Sequence, residues 1–181
     1  PAVPVSGHTG VGLDDVRAAL HDLAHQLPGP ERDTDIRLWV DRSFTIRGAG
    51  TVVTGTLREG TLRVGEQLRV HSTGRSVRVR GLQSLDADCS EVSASARVAV
   101  NLRGVARDEV SRGEALLTPR RWLGADVVDV RVDGTDTAQL PTELMLHIGS
   151  ASTPVRVRPL GKDTARLVLG QALPLRIGDR A

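Results

Sequence analysis

The chain has no tyrosine, one phenylalanine and two tryptophans. Proteins that grip single-stranded nucleic acid stack bases on aromatic side chains, and that equipment is scarce here. A single cysteine, Cys89, excludes an internal disulfide and suits a reducing compartment. Asp88 and Glu91 flank it, and their charge disfavours a thiolate nucleophile. Lysine is nearly missing as well: of 24 basic residues only Lys162 is one, so positive charge here means arginine. No apolar run approaches the roughly 20 residues of a membrane-spanning helix, and no signal-peptide pattern is read. No Gly-Lys-Ser/Thr occurs, so a P-loop is missing. Neither a Gly-x-Ser-x-Gly elbow nor a distinctively spaced carboxylate pair is found. On chemistry alone the sequence reads as a binding module.

What is present is a globular composition. Of 181 residues, 39% are hydrophobic and 25% charged, which excludes a disordered chain and allows one large or two smaller domains. Net charge is only +2, and the preference for arginine over lysine reads as genome composition. Its distribution is more informative. Between Asp41 and Arg80 there are eight arginines against three acids, a basic segment compatible with phosphate or nucleic acid. With so few aromatics, backbone and shape contacts are the expected route.

Residues 1–30 differ from the rest. Leu13, Val16, Leu20, Leu23 and Leu27 make one apolar stripe at helical spacing, and Asp14 and Asp15 sit in the first turn, where the helix dipole favours acids. "LPGP" stops the helix and "GPERDTD" reads as a linker. The segment looks like the tail of a β–α unit, which cannot bury itself alone. From Ile36 the period becomes two. "IRLWV", "TVVTGTL", "QLRVHS", "SVRVRGLQSL" and "RVAVNLRG" are separated by short Gly-containing turns, which predicts a small closed barrel or sandwich. "TPRRWLG", residues 118–124, marks a boundary. A second strand series follows, from "DVVDVRV" to "ALPLRI", and ends without a closing strand.

Several motifs have ordinary readings. "SGHTGVG" before the helix resembles an anion site only superficially and reads as a tight turn. Gly48, Gly50 and Gly55 lack the spacing and the following helix of a dinucleotide fingerprint. They are expected to bend a strand or to admit another backbone. His21 and His25, four apart, have no third ligand evident and read as a solvated helix face. By residue type alone, Asp41, Arg42 and Arg97 read as surface residues with an ordinary ion pair.

A family resemblance changes that last reading. Residues 37–68, "RLWVDRSFTIRGAGTVVTGTLREGTLRVGEQL", resemble domain II of the translational GTPases, and among these the bacterial selenocysteine-specific elongation factors. "VRVRGLQSLD", "ARVAVNLRGV" and "VSRGEALLTP" continue the match in order. "LMLHIGSASTPVRVRPLG" and "TARLVLGQALPLRIGDRA" resemble domain III, and "PVSGHTGVGLDDVRAAL" the last G motif and final helix of the preceding GTPase domain. An elongation factor Tu or initiation factor gamma type of translational GTPase is the alternative.

The resemblance implies a mainly β fold: two consecutive small β-barrels preceded by a short αβ remnant of a P-loop GTPase domain. The segments would be 1–30, the end of the GTPase domain; 31–118, domain II; and 119–181, a truncated domain III. The guanine-contacting turn would be Ser6-Gly7, where relatives commonly have Ser-Ala. The intact parent would use GTP and Mg2+; this piece, without P-loop and switch regions, is expected to bind neither and not to be catalytic. Selenocysteyl-tRNA and the ribosome would be partners. The selenocysteine-insertion mRNA hairpin would be reached only through C-terminal domains not in this sequence. A cytoplasmic monomer with no membrane association is implied. The family's aminoacyl-pocket residues fall on Asp41, Arg42 and Arg97.

Overall fold

The computed structural model describes residues 2–181; Pro1 of the expected 1–30 segment lies outside the described residues. Residues up to Pro30 and residues Glu31–Ala181 are two separate compact units. In the first, helix α1 spans Leu13–Gln26, with Gly12 before it and Asp14 and Asp15 in its opening turn. None of its residues is buried, and Leu20, Leu23 and Leu27 are more than half exposed. The apolar stripe therefore exists but packs against nothing within its own unit. α1 is not long and apolar enough to cross a membrane.

The second unit is all β apart from two single 3-10 turns. Its strands are β1 (Arg37–Ile46), β2 (Gly50–Leu57), β3 (Thr61–Arg63), β4 (Gln67–Val70), β5 (Ser76–Ser84), β6 (Ala87–Cys89), β7 (Glu91–Ser93), β8 (Ala96–Arg103) and β9 (Ala115–Leu117). β10 (Ala125–Arg131), β11 (Glu143–Ile148), β12 (Ala151–Pro159) and β13 (Thr164–Leu173) follow. The first sheet runs β4–β9–β1–β2–β8–β5–β6, and a further β4–β5 ladder joins its two sides, so that six strands follow one another in a ring. β3 and β7 pair separately. Alternation explains the interior: Leu38 and Val40 of β1, Val53 of β2, Val98 and Val100 of β8 all point into one buried cluster.

β10–β13–β12–β11 form a second, antiparallel sheet that stays open, with β10 and β11 at its edges. The second strand series, expected to lack a closing strand, is an open four-stranded sheet here. It buries its inner face against the first sheet. Trp39, Ala115 and Leu117 of the first sheet share one core with Ile148, Val155 and Leu167 of the second. The two β segments, 31–118 and 119–181, form one compact unit. Trp39 faces this shared core while its neighbours Leu38 and Val40 face the other, so β1 is covered on both sides.

Two close approaches fix that packing. A Cβ on Gly55 would collide with the Trp39 carbonyl and Leu38, and one on Gly149 would strike the Trp39 indole. Gly48 and Gly50 act differently. Both have positive φ (84° and 91°) in the β1–β2 turn, and an added Cβ would meet open space. They turn a hairpin rather than bend a strand or admit a neighbour, which corrects the sequence reading for these two positions.

Candidate functional site

The β1–β2 ladder slips by one residue at Asp41. Val40 lies opposite Gly55 and Arg42 opposite Thr54, leaving Asp41 as the extra residue of a β-bulge. A bulge re-aims side chains, and here it delivers Asp41 and Arg42 to neighbouring positions at the end of the Trp39 face. β2 and β8 complete the site, because Thr56 pairs with Arg97 and Thr54 with Ala99. Residues 41, 54 and 97 are thereby assembled from three adjacent strands.

Their side chains make a closed cluster. Arg97 donates to Asp41 twice, Nη1 to Oδ2 at 2.5 Å and Nη2 to Oδ1 at 3.2 Å. Thr54 Oγ1 donates to Asp41 Oδ1 at 2.5 Å, and Arg97 Nη2 lies 3.5 Å from the same hydroxyl. The Asp41 backbone carbonyl accepts from Arg112 Nη1 at 3.4 Å. Partial burial raises the Asp41 pKa, but the hydrogen bonds from Arg97 and Thr54, and then the charges of Arg97 and Arg42, outweigh it and hold the carboxyl below its ordinary value. Asp41 is therefore an anion at neutral pH. Arg42 is exposed and, among the described residues, is in no ion pair. The local balance is three guanidinium groups, Arg42, Arg97 and Arg112, against one carboxylate, and only Arg97 is paired with it.

Of the sequence-derived candidates, the structure brings together Asp41, Arg42 and Arg97. Ser6 and Gly7 lie in the other unit. There the Ser6 N–H donates to Val11 O, its carbonyl accepts from Gly10 N, and its Oγ accepts from Thr9 N. The Ser6 main-chain groups are spent on their own turn. No Gly-Lys-Ser/Thr occurs in the sequence, so the phosphate-cradling loop of a P-loop is not among these residues. His21 and His25 carry their Nε2 atoms 3.2 Å apart on exposed helix surface. Sequence reasoning missed Thr54 and Arg112. Thr54 becomes visible only through the pairing of β1 with β2, which brings it across from the Asp41–Arg42 bulge.

A second, part-buried cluster links the first sheet to the segment that follows β13. Arg37 donates to Asp179 at 2.6 and 2.5 Å and to the Pro174 carbonyl at 2.7 Å. Its guanidinium lies 4.7 Å from the Trp122 ring centre and 5.7 Å from that of Trp39. Nearby, Ser150 Oγ donates to the Val40 carbonyl at 2.5 Å, the residue just before the bulge.

Comparison with known proteins places this geometry. Residues 50–117 match the model of elongation factor Tu domain 2. The selenocysteine-specific elongation factor of Desulfomicrobium baculatum is 38% identical over 168 residues, which is 90% of this chain and 26% of that protein. Several of the proteins the chain resembles are named selenocysteine-specific elongation factors. That of Escherichia coli (strain K12) is 33% identical over 94% of this chain and 28% of its own length. The chain thus spans about a quarter of the relatives it matches. A crystal structure of a bacterial selenocysteine-specific elongation factor superposes with a TM-score of 0.85 at 25% identity, over 94% of this chain and 29% of that one. The elongation factor SelB of Methanococcus maripaludis, solved with the GTP analogue GppNHp, shares the fold with a TM-score of 0.82, covering 98% of this chain and 45% of its own. The chain carries an elongation factor Tu domain 2-like fold; Thr54 and Arg97 of the cluster lie within the matched residues, and Asp41 and Arg42 lie before them on the neighbouring strand β1.

Proposed function

We propose that this chain supplies the aminoacyl-tRNA-binding β-structure of a selenocysteine-specific, GTP-dependent elongation factor, which carries selenocysteyl-tRNA to the ribosome at recoded UGA codons. In this reading residues 31–118 are its domain II, 119–181 belong to domain III, and 1–30 close its GTPase domain. GTP and Mg2+ would be held by parts of the factor outside these residues, and the mRNA hairpin likewise. The factor works as a cytoplasmic monomer.

The observation that carries the proposal is Arg42, an unpaired guanidinium beside the Asp41–Arg97 pair. A selenol is considerably more acidic than a thiol or a hydroxyl, so selenocysteine is largely an anion at neutral pH, while its precursor serine is neutral. A charge-assisted contact is worth about 1.5–3 kcal/mol, or one to two decades in affinity. Arginine stays protonated throughout, so the site keeps its charge as pH varies. Asp41 orients Arg97 and can accept a proton of the aminoacyl ammonium; alone it would repel a selenolate. An elongation factor Tu-type reading is less favoured, because the elongation factor Tu 2 of Streptomyces avermitilis matches 66% of this chain against 90% for the selenocysteine factor.

The test compares binding of selenocysteyl- and seryl-tRNA to the intact factor that carries these residues. Wild type should prefer the former by at least tenfold, and Arg42→Gln or Arg97→Gln should erase the preference. Equal binding of the two tRNAs by wild type, or unchanged discrimination in both variants, overturns the reading.

A further inference from the structure

We infer that Thr54 is the positioning residue of this site: its hydroxyl holds the Asp41 carboxylate, and through it the Arg97 guanidinium, in the orientation that leaves Arg42 free for the ligand. The ligand part of this inference rests on the proposed function; the positioning part rests on geometry alone.

Asp41 needs such a support. As the extra residue of a bulge it has no ladder partner on β2, so its direction is not set by strand pairing. Besides Arg97, whose long side chain is itself half-exposed, two groups could fix it. Arg112 reaches only its backbone carbonyl, at 3.4 Å, and leaves the carboxylate free to rotate. Thr54 reaches the carboxylate itself, at 2.5 Å, from the facing strand. Thr54 is β-branched, with a restricted χ1, and sits half-buried in the middle of β2 between β1 and β8. A hydroxyl has one proton. Spending it on Asp41 Oδ1 directs the remaining lone pairs towards Arg97 Nη2, 3.5 Å away. The hydroxyl thus bridges both members of the ion pair.

The consequence is a division of roles between the arginines. Arg97 has its positive charge matched by Asp41 in a two-point contact, whereas Arg42 faces no carboxylate within ion-pair distance among the described residues. If Asp41 rotated, it could swing to Arg42 and neutralise the free cation. Thr54 prevents that exchange. The charged groups around the Asp41 carboxylate are Arg42 on its own strand, Arg97 on β8 and Arg112 in the loop before β9.

The test uses the chain with Thr54→Val, which keeps shape and removes the hydroxyl, and Thr54→Ser, which keeps the hydroxyl. The first readout is the Asp41 carboxyl titration by carbon NMR, together with exchange of the Arg97 guanidinium protons. Thr54→Val should move the Asp41 midpoint upward and speed Arg97 exchange, and Thr54→Ser should restore both. An unmoved midpoint and unmoved exchange in Thr54→Val overturn the positioning role whether or not the chain binds tRNA. The second readout is the selenocysteyl- over seryl-tRNA preference of the intact factor, expected to fall about three- to tenfold in Thr54→Val and to return in Thr54→Ser. Discrimination in wild type that Thr54→Val leaves intact overturns the link to Arg42. Absence of discrimination in wild type counts instead against the functional reading.

Discussion

Arg37–Asp179 and Arg97–Asp41 have the same chemical groups, and both are two-point contacts with a shortest distance of 2.5 Å. Their surroundings differ. The Arg37 and Asp179 side chains are 10% and 15% exposed, and the guanidinium lies against two tryptophan rings. Arg97 is 57% exposed, and a third charge, Arg42, stands beside its partner carboxylate. Burial converts the first pair into a joint between the first sheet and the segment that follows β13, because removing either member strands a charge away from water. Exposure leaves the second pair weak as a fastener and accessible as a site. A charged pair is thus read by what surrounds it, and not by its distances.

The comparison breaks most readily at the joint. Asp179→Ala should lower unfolding free energy by about 3 kcal/mol or more in urea titrations, and a double change to Arg37→Met and Asp179→Leu should recover much of the loss. A small effect of the single change would mean that the two pairs are energetically alike. Next in size is Arg42→Gln, which should reduce selenocysteyl-tRNA preference by one to two decades while leaving the urea midpoint where it was. Loss of stability there would place Arg42 with the structural pair.

Acid sharpens the contrast further. For Asp179, burial raises the pKa, but Arg37, the Arg176 backbone N–H and the charges of Arg37 and Arg176 together lower it; for Asp41 the net direction is the same. The folded chain then binds fewer protons than the unfolded chain. The stability from both carboxylates is complete above the ordinary aspartate titration near pH 4, and drains away as pH falls through the folded-state values. Melting profiles between pH 7 and pH 2 should show this decline, with more of it removed by Asp179→Asn than by Asp41→Asn. Smallest is the effect of Arg97→Gln on stability, expected within about 1 kcal/mol and shrinking with added salt, although the same change abolishes discrimination.

Much of this was legible in the sequence, for reasons that have to do with distance along the chain. α1 and the strand series announce themselves through local period, and Asp41, Arg42 and Arg97 through a family resemblance. The glycines at 48 and 50 were recognised as special, but a turn and a strand bend look alike until the φ angles are known. The bulge at Asp41 is a one-residue slip that no local pattern encodes, and Thr54 reaches Asp41 only through the pairing of β1 with β2. Arg37 and Asp179 are 142 residues apart, and no local pattern pairs them. Nor could alternation alone tell that Trp39 and Leu38 face two different cores.

The hydrogen bond from Ser150 to the Val40 carbonyl has a mechanical meaning. Ser150 lies in the turn between β11 and β12, and Val40 is the last regular residue before the chain kinks at Asp41. The same carbonyl also receives the Gly113 N–H. The β11–β12 turn of the far sheet is therefore tied to the first sheet one peptide unit from Asp41, so the carbonyl that precedes the charged cluster is held by both sheets at once.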